Sequence, residues 1–421
     1  MTSSPTPSSP ILSKSRAACA LLACAGGLFG LQTSVHAHGG EADPLPAEPG
    51  VRVGVAGALR VLDAPRELPS QRLPGFLLQG DAGMDARGAQ LEHGVLDAGW
   101  RLHGQWGAYA ALGKHGSDPA HIEAAWLQWQ PGADWRLTAG RQRPALGAVV
   151  TPAGHLDRFA LVPLAKQASF GHDWIDDGVQ LGWRRAIGRA DLTLDAGLWR
   201  GRVWPGGAGT PVALSLHGGV TAGDFTFDAF AAHFEPTGRG TRAALAGGGH
   251  SHAAPVCDEA LKDMVCFAGR SQVLGASARW LSHDLPLSAS AAMLWHRDRG
   301  PLRSRNGLGD YGGDTLGGWV EGVWAIQPQW ELGARLERLQ SRQRLQGAGV
   351  SLIAAELGLN AYRPANRAAL MLGWLPREGI ALRLEVGTEA AGGWRSRFAA
   401  LRAVFRIDDV AAALRGASRA P

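Results

Sequence analysis

Trp330-Glu331-Leu332-Gly333-Ala334-Arg335-Leu336-Glu337 alternates between an apolar residue and a charged residue or glycine without a break. Successive side chains of a strand point to opposite faces, so this stretch reads as a β-strand with one oily and one polar face. The pattern extends in both directions. Ile380, Leu382, Leu384 and Val386 alternate with Ala381, Arg383, Glu385 and Gly387. Ala399, Leu401, Ala403, Phe405 and Ile407 alternate with Phe398, Ala400, Arg402, Val404 and Arg406. Far upstream, Val51, Val53, Val55, Leu59 and Val61 face one way, while Arg52, Gly54, Ala56, Ala58 and Arg60 face the other.

A two-faced antiparallel sheet can turn its oily face inward, as a soluble sandwich does, or outward to lipid around a wet lumen. Three features favour the second arrangement. Charges recur on the polar face in strand after strand, and glycine and alanine crowd that face. Trp100, Trp129, Trp135, Trp183, Trp280, Trp324, Trp330 and Trp374 fall near segment ends, where an interfacial aromatic girdle would lie. The expectation is therefore an all-β fold, a transmembrane antiparallel up-and-down β-barrel over residues 51–407.

The connections sort by length. Short turns are expected near 103–104, 131–133, 186–189, 222–223, 283–285, 327–328 and 364–365. Longer loops are expected near 63–91, 114–120, 142–177, 200–211, 235–270, 297–313 and 341–350. Short turns at one end and long loops at the other are a barrel signature. Counting segments gives about 17, against the even number a bacterial barrel needs, so about 16 strands are expected, with about 18 as the alternative. Either size encloses an aqueous channel.

Other classes lose support on composition. Charged residues make up 19% and mean hydropathy is −0.08. No run of 18 apolar residues lies beyond the N-terminal region, which argues against a helical membrane protein. Lys14 and Arg16, the small apolar stretch Ala17–Leu31 and the site Val35-His36-Ala37 read as a cleaved signal peptide over 1–37. A periplasmic linker (38–50) then leads to the barrel, and a C-terminal tail (408–421) follows it. Only a few residues precede the first strand, which leaves no room for a plug domain. After cleavage, 40 basic residues would face 37 acidic ones, a balance too even to argue for nucleic acid. His172-Asp173 and His283-Asp284 are adjacent dyads, but neither has a serine in an elbow-like context, so no enzyme is expected.

Nearly all the basic charge is arginine. Arg52, Arg60, Arg101, Arg136, Arg184, Arg335, Arg383 and Arg402 fall on the lumen face and could form a basic track favouring anions. A high-GC genome encoding arginine by default accounts for the bias equally well. Within 142–177, Arg143, Arg158 and Lys166 stand against Asp157, Asp173, Asp176 and Asp177. Folded inward, such a loop would form a constriction with a transverse field. Packed outside, its charges would simply be solvated.

The segment 235–270 is distinctive. Cys257 and Cys266 remain after cleavage and suit a disulfide in an oxidising compartment. His250, His252, Asp258 and Glu259 nearby are the donor types that zinc or copper selects. The alternatives are a metal-capture loop and a solvated loop closed by the disulfide, with no cofactor.

Leu137-Thr138-Ala139-Gly140-Arg141-Gln142-Arg143-Pro144-Ala145-Leu146-Gly147 resembles the strand-to-loop passage of Gram-negative phosphate- and polyphosphate-selective porins. Gly358-Leu359-Asn360-Ala361-Tyr362-Arg363-Pro364 is similar to that family's late hairpin. The resemblance covers the architecture broadly but matches few residues, and the residues following Phe405 depart from it. It implies a homotrimeric outer-membrane channel in lipid, passing small hydrophilic solutes past one inward loop.

Overall fold

The computed structural model describes residues 44–417, except 69–71, 74–84, 86, 103, 117–118, 152–156, 172, 203–211, 243–256, 258–263 and 357–363. The expected signal peptide, the resembling stretch 358–363, and His250, His252, Asp258 and Glu259 lie outside the described residues.

Nine strands lead the chain: β1 (Gly50–Asp63), β2 (Gly88–Arg101), β3 (Trp106–Lys114), β4 (His121–Trp129), β5 (Trp135–Gln142), β6 (Asp176–Ile187), β7 (Ala190–Trp199), β8 (Ala213–Ala222) and β9 (Phe225–Phe234). A small hairpin follows, β10 (Arg239–Arg242) and β11 (Met264–Phe267). The remaining strands are β12 (Arg270–Leu281), β13 (Leu287–Ser304), β14 (Gly307–Gln327), β15 (Trp330–Gln346), β16 (Ala365–Arg377), β17 (Ile380–Ala391) and β18 (Trp394–Ile407). Each pairs antiparallel with its neighbours, β9 joins β12, and β1 pairs with both β2 and β18. With β10 and β11 outside the ring, sixteen strands close a barrel and leave no free edge.

The faces are inverted relative to a soluble sandwich. On β15, Leu332, Leu336 and Arg338 point out while Glu331, Arg335 and Glu337 point in. Leu336 is 60% exposed and Arg335 only 2%. The same holds on β16, with Leu370 and Leu372 outward and Arg367 and Met371 inward. Leu127, Leu194, Leu216 and Val320 continue the oily belt around the ring. Leu336 lies within this belt, so Leu336→Arg should destabilise the folded barrel by about 2–4 kcal/mol. Urea unfolding in phospholipid vesicles would measure it, and a cost near zero would mean this face does not meet hydrocarbon.

Trp100, Trp106, Trp129, Trp135, Trp324, Trp330 and Trp374 lie outward beside the short turns, with rings stacked between Trp106 and Trp129 and paired between Trp330 and Trp374. Across the belt, Trp295, with Arg297 over its ring, is the one outward tryptophan among the described residues. Other tryptophans do not serve the girdle: Trp174, Trp199 and Trp319 are buried in the lumen.

Two connections differ from expectation. Residues 297–313 are not a loop: β13 and β14 run through them and meet at a two-residue turn, so this arc of the wall extends beyond its neighbours. Residues 364–365 are not a short turn: they end a long connection after β15 that carries a short helix, α2 (Val350–Glu356), packing Ile353 against Leu302 and Tyr311. The turn on that side falls at 378–379, where Gly379 adopts φ +75°. The ring has sixteen strands, the even number expected.

The described residues of 143–175 enter the barrel and include the helix α1 (Leu164–Phe170), which lies against β13, β14, β15 and β16. Close approach here depends on glycine. A Cβ on Gly317 would sit 2.9 Å from that of Ala165, and one on Gly333 would sit 3.2 Å from the Phe159 ring. The glycine-bearing face thus makes room for this connection. At the chain's other end, α3 (Val410–Ala417) lies against β1.

Candidate pore constriction

The connection 143–175 spans the lumen because it combines apolar anchors with backbone groups that the wall satisfies. Phe159, Leu161, Leu164, Phe170 and Trp174 are buried, against inner-wall residues including Met371, Phe398, Trp319 and Phe234. Near its start, the Ala145 amide donates to Gln180 (3.1 Å) and the Ala148 amide to Asp228 (3.0 Å), which fastens it to β6 and β9. Farther on it reaches the opposite wall. The Leu164 amide donates to Glu337 (2.6 Å) and the Ala160 amide to Glu385.

The wall arginines complete this attachment. Arg402 donates to the carbonyls of Asp157 (2.6 Å) and Phe159 (3.3 Å), Arg60 to that of Ala160 (3.0 Å) and Arg367 to that of Val162 (2.8 Å). Arg335 donates to the Leu161 carbonyl and to Glu337, and Arg383 to Glu331 (2.9 Å). Arg402 also forks onto Glu92 at 2.7 and 2.8 Å. Two described residues after β1 also reach this wall: Arg72, paired with Glu389, and Asp85, paired with Arg60.

The expected basic track therefore takes a different form. All eight arginines lie on the inward-facing rows, but most are matched to carboxylates or to backbone oxygens. Arg52 lies 3.8 Å from Asp97, Arg136 lies 3.7 Å from Asp195, and Arg101 donates to the Pro46 carbonyl. Arg184 is exposed near the β6–β7 turn. Charge alternates along this wall because an uncompensated buried ion is costly.

Of the expected constriction residues, Asp157, Arg158 and Lys166 come together. They line a recess of about 100 Å³ with Arg279, Ser288, Ser290, Glu321 and Arg335. Arg158 is aimed by a 2.8 Å hydrogen bond to the Ser288 hydroxyl. Burial pushes the Asp157 carboxyl above its ordinary pKa, against the opposing pull of Lys166, Arg402 and Arg335. Arg143 and Asp173 pair elsewhere, beside Glu123. Asp176 and Asp177 stand apart from the recess at the start of β6. Asp176 accepts from the Gly201 amide, and Asp177 is forked by Arg141 on the outward row. Arg279 and Glu321 were not expected in this group. Both belong to inward rows of alternating strands, but only the crossing connection shows which rows it meets.

Cys257 and Cys266 form a disulfide, and β11 extends the wall by pairing with β13. The connection between β3 and β4 brings a cluster of side chains together that the sequence reading did not single out. His93 and His115 stack at 4.4 Å, and each hydrogen-bonds the same oxygen of Glu123.

No family model matches the chain, and no curated protein matches it. Solved structures do. OmpT, an outer membrane protein of Vibrio cholerae, is similar with a TM-score of 0.53 at 11% identity, over 87% of this chain and 100% of that one. OmpF of Salmonella typhi, solved in complex with daunomycin, gives 0.52 at 6% identity, over 85% and 97%. OprB of Pseudomonas putida gives 0.50 at 12% identity, over 85% and 94%. Identities this low speak to architecture alone, and the architecture is a closed sixteen-stranded antiparallel barrel matching these outer-membrane proteins.

Proposed function

We propose that this chain is an outer-membrane channel for passive diffusion of small hydrophilic solutes, with a preference for anions. One observation carries the reading: a connection pinned to both sides of the lumen leaves a narrow polar recess lined by Arg158, Lys166 and Arg279. Asp157 and Glu321 face the same recess, so a solute crossing it meets opposed charges that orient its dipole. Fixed guanidinium groups suit carboxylate- and phosphate-bearing solutes. The resemblance to phosphate- and polyphosphate-selective porins makes phosphate and pyrophosphate the first solutes to try. Export through a cleaved segment 1–37 and assembly as a homotrimer belong to the same proposal.

Planar-bilayer recording tests it. Purified protein should give stepwise conductance, and the reversal potential in a potassium chloride gradient should report chloride preference. The double variant Arg158→Glu/Arg279→Glu should reduce or invert that preference. An absence of conductance steps would remove the channel, and a cation preference in the unaltered protein would remove the anion reading.

A further inference from the structure

We infer that His93, His115, His121 and Glu123 form a binding site for one divalent transition-metal ion of zinc type on the inner wall near the long-loop rim. These residues are separated in sequence, and two local irregularities bring them together. Ala111 pairs with Ala124 and Leu112 with Ile122, which leaves Glu123 as the extra residue of a bulge in β4. Ala58 pairs with His93 and Leu59 with Leu91, which leaves Glu92 as the extra residue of a bulge in β2. Bulges re-aim side chains that regular pleating would send elsewhere. Here one turns Glu123 inward beside His93, and His115 follows directly after β3.

The donors converge on one point. The Nε2 atoms of His93, His115 and His121 lie 2.7, 2.9 and 3.8 Å from the same carboxylate oxygen, Oε1 of Glu123. One ligand atom each from His93, His115 and Glu123 falls within a mutual spacing of 4.8 Å. A tetrahedral zinc ion with bonds of about 2.0–2.1 Å holds its ligand atoms roughly 3.3 Å apart. The three distances to Oε1 bracket that spacing, and small side-chain rotations would bring the donors around one ion.

The surrounding contacts also fit. The other ring nitrogen of His115 hydrogen-bonds the Glu92 carbonyl (2.9 Å), and that of His121 the Pro119 carbonyl (3.4 Å). Backbone carbonyls on the far nitrogen fix ring orientation and tautomer in metal-binding histidines. Arg143 approaches Oε2 of Glu123 at 3.6 Å and is itself held by Asp173, so the second carboxylate oxygen is occupied while Oε1 faces the imidazoles. Three imidazoles and one carboxylate suit zinc, copper or nickel, whereas calcium and magnesium favour all-oxygen sites. The site is distinct from His250, His252, Asp258 and Glu259.

The test uses the folded full chain in detergent, stripped with a chelator, and does not depend on channel activity. Zinc is titrated by equilibrium dialysis, and cobalt(II) is followed by its visible absorption. One ion per chain is expected, with the intense spectrum of tetrahedral cobalt and no displacement by millimolar magnesium. His115→Gln keeps a hydrogen-bond donor toward Glu123 but removes the imidazole ligand, so it separates metal binding from a purely structural knot. It should weaken zinc binding at least about tenfold, since even supporting partners are worth that much. His250→Ala/His252→Ala should bind as the unaltered chain does. Unchanged affinity in His115→Gln, loss confined to the His250/His252 variant, or no bound zinc at all would each overturn the inference.

Discussion

Replacing residues 157–168 by a short Gly-Ser linker is expected to raise single-channel conductance several-fold. A sixteen-stranded ring is wide enough for an aqueous channel when its interior is clear. Here much of that interior is taken by Phe159, Leu161, α1 and the backbone between them. The strand ladders do not involve these residues, so closure between β1 and β18 should survive the change. The variant should also lose part of its ion preference, because Arg158 and Lys166 leave with the segment. Planar-bilayer recording reads both effects. Conductance equal to that of the unaltered chain would show that the narrowest point lies elsewhere.

The second large effect concerns stability. Arg367 is almost fully buried and donates to Glu389 at 2.7 and 3.0 Å, to Glu337 at 3.3 Å and to the Val162 carbonyl. Arg367→Met would leave two buried carboxylates short of their counter-charge. Removing one partner of a buried ion pair costs about 3–5 kcal/mol, and a loss of that order is expected in chemical unfolding of the detergent-solubilised barrel. The double change Arg367→Met/Glu389→Gln should recover part of it, because the stranded charge goes with its partner. A loss below about 1 kcal/mol would mean that water reaches these carboxylates and screens them.

The strands were the most legible part of the sequence. Around 330–337 and 380–387 the alternation is dictated by lipid on one side, so the pattern survives in every residue. The extension through 297–313 was disguised by Arg297, Arg299, Arg303 and Arg305, which read as loop charges. Its signal was Asn306-Gly307, turn-favouring residues between alternating flanks, although the two-residue turn itself is Arg305-Asn306 and Gly307 opens β14. The inward course of 143–175 was signalled by Phe159-Ala160-Leu161-Val162-Pro163-Leu164, too apolar a run for a solvated loop. Which wall residues it meets was not legible, since that depends on the closed ring. The pairing of the arginines was partly visible: Arg335 and Glu337 share a face two residues apart and do pair, whereas Arg383, which has Glu385 in the same position, pairs across the wall with Glu331. The His93–His115–Glu123 cluster depends on two bulges, and alternation patterns do not reveal an extra residue of that kind.

The gathering of outward tryptophans beside the short turns gives the molecule a fixed floor and an adjustable ceiling. Indole rings prefer the headgroup region, so this end is held at one depth. Opposite it, where Trp295 is the one outward tryptophan among the described residues and β13–β15 run on past the oily rows, little sets the height. When the bilayer thickens or thins, the mismatch falls on that upper edge. Vertical adjustment should therefore displace lipid around the tall arc of the wall while the lower waterline stays where it is.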